Sequence, residues 1–188
     1  LIDPVLAGVT TPLETWSSLR HLSDRLAGPN GEIYVSNLFP DHLGFTWATW
    51  GMQAGAAQQP WGAWAYNRAG RAEDAVRPLL AATEWVFNDV QRGTWPEVAN
   101  EVRPGYFSPP AALWIQATVE ALFGLQPDAP AGVLTLRPCF PRDWPGARLE
   151  LPEWSVEYSR DGDRVAYAVR GGADFERRVR WPLPPARV

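Results

Sequence analysis

The sequence predicts an α+β protein in which a helical part, residues 1–126, precedes a small antiparallel β-module, residues 131–188. Apolar residues recur every three or four positions in the first part, as on one face of a helix, and alternate in the second part. The dipeptide Asp161-Gly162 between two alternating runs is typical of a β-hairpin turn. A sheet of this size is seldom stable alone, so we expect it to pack on the helices.

The first well-marked helix is predicted to begin after Thr11. Thr11 and Glu14 have the spacing of a capping box, and Pro12 between them suits the first helical position. Gly28-Pro29 supplies the stop signal. The helix between these signals carries one apolar row at helical spacing, made of Leu13, Trp16, Leu19, Leu22 and Leu26.

Further helices are predicted along the rest of the first part. Residues 46–57 carry aromatic and then small side chains, which predicts a helix buried on most sides, with a break or kink at Pro60 and a continuation over residues 61–69. Residues 108–124 form another helix whose apolar side chains surround most of its axis. Residues 73–91 are amphipathic, with an inner face made of Val76, Leu79, Leu80, Val86 and Phe87.

The β-module is predicted from alternating residues. Residues 133–136 and 147–151 have the composition of strands, and 175–181 is the expected last strand. The two arms of the predicted hairpin follow from apolar residues at alternate positions on either side of the turn. These residues are Trp154, Val156 and Tyr158 before the turn and Val165, Tyr167 and Val169 after it.

Composition narrows the possible functions. The net charge of −4 is not gathered into blocks, which argues against nucleic acid and membranes as partners. Two histidines and one cysteine without ligand spacing predict no metal site. Because no glycine-rich phosphate loop and no serine-hydrolase elbow occurs either, we expect neither a nucleotide cofactor nor a serine nucleophile.

Eleven tryptophans in 188 residues are the strongest functional signal. An indole is a large apolar plate that serves a protein core or stacks on a ring-shaped ligand. Trp95 lies in a segment without predicted secondary structure, two residues before Glu97, and Glu101 follows four residues later. Carboxylates beside aromatic plates suit a site that cleaves sugars, so these three residues are the leading candidates.

The order of the elements resembles the C-terminal end of the six-hairpin glycosidases, whose ring of inner helices inside outer helices is often closed by a small β-domain. Pro138, Pro141 and Trp144 also match a spacing common after the last inner helix of that superfamily. The other segments that carry the resemblance are Gly44-Phe45-Thr46-Trp47, residues 69–75, Thr94-Trp95-Pro96-Glu97, Tyr106-Phe107-Ser108, residues 117–125 and Leu134-Thr135-Leu136-Arg137.

The resemblance implies a partial (α/α)6 toroid, a carbohydrate substrate and inverting hydrolysis. It places the general base at Glu97 or, failing that, at Glu101. Inverting enzymes hold the acid and the base about 6.5–9.5 Å apart to admit the attacking water. The acid of such families usually lies in an earlier hairpin, which this chain lacks, so we expect the chain alone to hold half a site and to be inactive. Judged from the residues alone, Glu97 could instead cap a helix or pair with Arg103.

Four other residues are candidates for substrate binding. Asp41 and His42 precede the small-residue helix and could bind sugar hydroxyls, although an N-terminal cap and a partly buried imidazole are the favoured explanation. Asp41 is also the one plausible acid on this chain. Trp47 is a core residue or a sugar contact, and Tyr106 is a further contact.

Two rival functions remain. A non-catalytic carbohydrate-binding or structural module needs the aromatic side chains but no paired carboxylates. A polysaccharide lyase would need a base near a cation, for which Tyr106 and Arg103 are the candidates. A partial toroid would also expose an apolar patch, so we expect either self-association or contact with a missing N-terminal part of the same protein.

Overall fold

The structure is a computed structural model that describes residues 2–34, 54–88, 93–98, 107–171 and 176–179. Within these ranges α-helices precede β-strands, which confirms the predicted α+β class. The helices are α1 Ile2–Ala7, α2 Pro12–His21, α3 Gln58–Arg68, α4 Ala72–Asn88 and α5 Pro109–Ala117. The strands are β1 Leu125–Asp128, β2 Val133–Leu136, β3 Gly146–Glu150, β4 Trp154–Asp161, β5 Arg164–Gly171 and β6 Glu176–Val179.

Helix α2 begins at the predicted capping box. The Thr11 side chain accepts from the Glu14 amide at 3.3 Å, and the Glu14 carboxylate accepts from the Thr11 amide at 2.7 Å. A π-helical turn, Leu22–Leu26, extends the helix to the predicted stop. The predicted apolar row is buried only in part: Trp16 is exposed, whereas Leu19 is fully buried.

Helix α3 is the most enclosed helix of the described chain, and it begins later than the sequence suggests. Residues 54–57 are buried or half-buried but not helical, so the predicted helix over 46–57 is wrong at its C-terminal end, and 46–53 lie outside the described residues. Pro60 therefore lies in the first turn of α3, where no intrahelical hydrogen bond is lost. Gly62 faces the end of the Ile33 side chain, which would have to move to admit a Cβ atom.

Helices α4 and α5 bury narrower faces than the apolar pattern predicts. In α4, Val76 and Leu79 are buried, but Leu80 and Phe87 are 51% and 62% exposed. In α5, Ile115 is 60% exposed, so this helix is not enclosed on all sides. Periodicity identifies an apolar face correctly, but it does not show how much of that face a neighbouring element covers.

Two three-stranded sheets follow the helices. One has the strand order β3-β4-β5 and is antiparallel, with Asp161 paired to Arg164 across the predicted hairpin. The other has the order β1-β2-β6, in which β1 and β2 are antiparallel but β2 and β6 are parallel. Strand β1 lies before residue 131, where the sequence predicts the β-module to begin. Pro127 is tolerated there because β1 is an edge strand.

The sheets pack on the helical part, as expected from their size. Phe140 stacks on Tyr158 of β4 with ring centroids 4.2 Å apart and meets Phe123, just after the last helical turn, edge-on at 5.1 Å. Val76 of α4 belongs to the same apolar cluster. The two parts therefore share a core. No helix within the described ranges is long and apolar enough to cross a membrane.

Candidate functional site

The structure describes two of the predicted site residues, Trp95 and Glu97. Both are half-buried, and they lie on either side of the buried Pro96. The other predicted site residues lie outside the described residues, so their roles stay predictions; these are Asp41, His42, Trp47, Glu101 and Tyr106. Arg103 lies outside them as well.

The segment that carries Trp95 and Glu97, residues 93–98, is fixed through its backbone at both ends. The Gly93 amide donates to the carbonyl oxygen of Val86 in α4 at 2.8 Å. An antiparallel bridge pairs Val98 with Gly55. A loop held in this way presents its side chains in a defined arrangement, as a binding or catalytic loop requires.

Two further backbone hydrogen bonds tie the candidate residues themselves to the starts of two helices. The Ala56 amide donates to the Glu97 carbonyl oxygen at 2.8 Å, and the Phe107 amide donates to the Trp95 carbonyl oxygen at 3.0 Å. Ala56 lies two residues before α3, and Phe107 lies two residues before α5. The segment therefore joins the N-terminal ends of two helices that pack against each other.

Trp95 packs against Trp114 of α5. The sequence predicts Trp114 to lie on a buried helix and assigns it no functional role. The two ring centroids are 6.3 Å apart at an interplanar angle of 52°. The Trp114 indole N–H donates to the Leu79 carbonyl oxygen of α4 at 3.1 Å, which fixes its orientation. Trp95 thus packs on an oriented ring and is itself half-buried.

A concave surface lies at the C-terminal end of α3 and the start of α4, away from residues 93–98. It is a groove of about 880 Å³ between α2 and the turn that joins α3 to α4, and Trp16 lies on its rim. We call it the Trp16 groove. The sequence places Trp16 on an apolar helix face, but its spacing with Arg20 and Asp24 is the signal of a shared exposed row.

A polar network forms the floor of the Trp16 groove. The Arg71 guanidinium pairs with Asp74 at 2.7 Å and donates to the Ser23 hydroxyl at 3.0 Å. The Ser23 hydroxyl is in turn 3.1 Å from the phenol oxygen of Tyr66. Burial raises the pKa of the Tyr66 phenol, so this group stays neutral and available for hydrogen bonding.

Within the described ranges, no three His, Cys, Asp or Glu side chains lie together so that they could hold a metal ion.

Comparisons of the chain with protein-family models, with curated proteins and with solved structures give no match.

Proposed function

We propose that this chain forms part of an inverting glycoside hydrolase whose helices belong to an (α/α)6 toroid. Glu97 is the general base, and Trp95 is a platform on which a sugar ring stacks. The observation that carries the proposal is the pair of backbone hydrogen bonds that fix Trp95 and Glu97 at the N-terminal ends of α3 and α5. The order of the sequence elements, which resembles the six-hairpin glycosidases, supports the same function.

The proposed reaction is a single displacement. The Glu97 carboxylate takes a proton from water while the water oxygen bonds to the anomeric carbon. The bond from that carbon to the leaving oxygen breaks in the same step, and a carboxylic acid protonates the leaving oxygen. Asp41 is the candidate for this acid within the chain, and Glu101 is the alternative base.

Trp95 contributes orientation in this proposal. Stacking of one sugar face on the half-buried indole holds the ring while polar groups bind its edges. Because the Trp95 ring packs against Trp114, the indole side chain is already ordered before the sugar binds. This lowers the entropic cost of binding. Asp41, His42, Trp47 and Tyr106 are the proposed neighbours around the substrate.

A non-catalytic carbohydrate-binding module is the second candidate, and the Trp95–Trp114 pair favours it to the same extent. An aromatic platform such as Trp95, packed against a helix residue, binds sugars without any carboxylate. The lyase alternative depends on Tyr106 and Arg103 and has no described contact in its favour. Binding and hydrolysis must therefore be measured separately.

The test is the activity of the intact gene product and its Glu97→Gln variant on a panel of glycosides. Loss of a general base lowers kcat by about 10²–10⁴-fold while sugar binding persists. The matched control is Glu153→Gln, which removes an exposed carboxylate in the turn between β3 and β4. We expect this control to keep wild-type activity.

The variants also separate the alternatives. If Glu97→Gln keeps full activity, Glu97 is not the base, and the same substitution at Glu101 becomes the next test. If the wild-type protein binds sugars but hydrolyses none of the panel, the binding module is the better description.

A further inference from the structure

Trp16 is the one exposed tryptophan among the residues that the structure describes. Its side chain is 55% exposed, although tryptophan is usually well buried. The Arg20 guanidinium lies 5.2 Å from the centre of the Trp16 ring, and its Nε atom is 3.2 Å from an Asp24 carboxylate oxygen. These three side chains form a row along α2 and its π-helical extension, with the guanidinium over the indole ring.

The groove beside this row has the size of a ligand site. Its volume of about 880 Å³ lies within the range of pockets that hold small molecules. The leucine at its base, Leu19, is fully buried, and the Arg71–Ser23–Tyr66 network stiffens the floor. The walls are therefore preorganised, so little ordering is needed when a ligand binds.

The charges of the groove balance, and this balance restricts the ligand. Three cationic and three anionic side chains line it, namely Arg20, Arg68 and Arg71, and Asp24, Glu73 and Asp74. A groove with no net charge gives no preference to an anion or a cation. It offers guanidinium donors and carboxylate acceptors together, which suits a neutral molecule that carries many hydroxyl groups.

We propose that the Trp16 groove is a binding site for a neutral oligosaccharide. The exposed indole stacks on a sugar face, and the surrounding carboxylates and guanidinium groups accept from and donate to its hydroxyls. The site lies at the C-terminal end of α3, whereas Ala56 ties Glu97 to the N-terminal end of that helix. This binding site does not depend on the role of Glu97.

The test uses short neutral oligosaccharides of glucose, mannose, xylose and rhamnose, titrated into the intact gene product by calorimetry. At least one should bind, and Trp16→Ala should raise its Kd by about tenfold or more. The control is Leu13→Ala on the same helix, a 71% exposed side chain outside the groove. It should change the Kd less than about twofold. Neither variant removes core packing, so circular dichroism should show wild-type helix content for both.

Three results would overturn the proposal. The first is that no neutral oligosaccharide binds below about 10 mM, or that Trp16→Ala binds as tightly as the wild type. The second is that a polyuronate of equal length binds about tenfold more tightly than its neutral counterpart, since this would require a net positive groove. The third is that Trp16→Ala separates a dimer into monomers with no sugar bound, which would make the groove an interface between copies. Binding in Glu97→Gln should equal that of the wild type, so this site and the proposed hydrolysis can fail independently.

Discussion

The Ala56 amide donates a 2.8 Å hydrogen bond to the Glu97 carbonyl oxygen, and this contact ties the candidate base to the start of α3. Ala56 and Glu97 are far apart in sequence, so their contact is a product of the tertiary fold. Ala56 is fully buried, and its neighbour Gly55 pairs with Val98 in a short bridge. The backbone of the candidate base is therefore attached to the interior of the helical part.

The aromatic support of Trp95 should matter for both stability and sugar binding. Trp114→Ala removes the ring contact with Trp95 and the hydrogen bond to Leu79. We expect a loss of about 2–3 kcal/mol in the free energy of unfolding and a raised KM or sugar Kd. The neighbouring control Ile115→Ala, at a 60% exposed site, should cost less than about 0.5 kcal/mol. Equal effects of the two variants in urea unfolding would contradict the support role.

The buried side chain of Gln59 joins α3 to the backbone of Ile33 and Gly55 by hydrogen bonds, a contact that the apolar pattern of the sequence does not predict. Its side-chain oxygen accepts from the Ile33 amide at 2.7 Å, and its amide nitrogen donates to the carbonyl oxygens of Ile33 and Gly55. Gln59→Leu should cost about 2–4 kcal/mol, because these buried backbone groups lose their partners. Gln59→Glu should cost at least as much, since it turns a donor into an acceptor. Gln116→Ala, at an exposed position, is the control for urea unfolding and should have little effect.

Gly124 joins the last helical turn to β1 and should not accept a side chain. Its φ is +74°, and a Cβ atom there would collide with the backbone of Arg137 and Pro138. Gly124→Ala should therefore cost about 3 kcal/mol or more. Gly162 in the hairpin turn has φ +57° and open space around it, so Gly162→Ala should cost about 1 kcal/mol. Similar losses of melting temperature in the two variants would contradict the close approach at Gly124.

The Cys139 thiol should weaken folding at high pH. Burial raises its pKa from an ordinary value near 9 to about 12. The unfolded thiol therefore releases its proton first as the pH rises, so stability is complete below pH 9 and falls toward pH 12. Between pH 8 and pH 10 the wild type should lose about 1 kcal/mol more than Cys139→Ala. Parallel losses in the two proteins would show that the folded thiol ionises normally.

Local signals predicted a large part of the fold. The Thr11–Glu14 box and the turn after Asp161 depend on residues close in sequence, and both appear where expected. The late start of α3 was missed because small residues such as Ala54 and Ala56 are buried without being helical. The parallel pairing of β6 with β2 was missed because it joins distant segments.

The candidate site was predictable only in part, because it also depends on contacts between segments that are distant in sequence. Trp95 and Glu97 were identified from composition and from their loop position. Their attachment to Ala56 and Phe107, and the support from Trp114, depend on contacts that spacing does not encode. The exposure of Trp16 was also missed, because an apolar face read from periodicity carries no information on what covers it.

The most direct test of the central claim, that Glu97 activates water for a single displacement, is the anomer first formed by the intact gene product. Proton NMR of a glycoside hydrolysed by the wild type should show the anomer of opposite configuration before mutarotation, and Glu97→Gln should form it far more slowly. A first product of retained configuration would contradict the proposal, because it requires a carboxylate nucleophile and a covalent intermediate in place of a base.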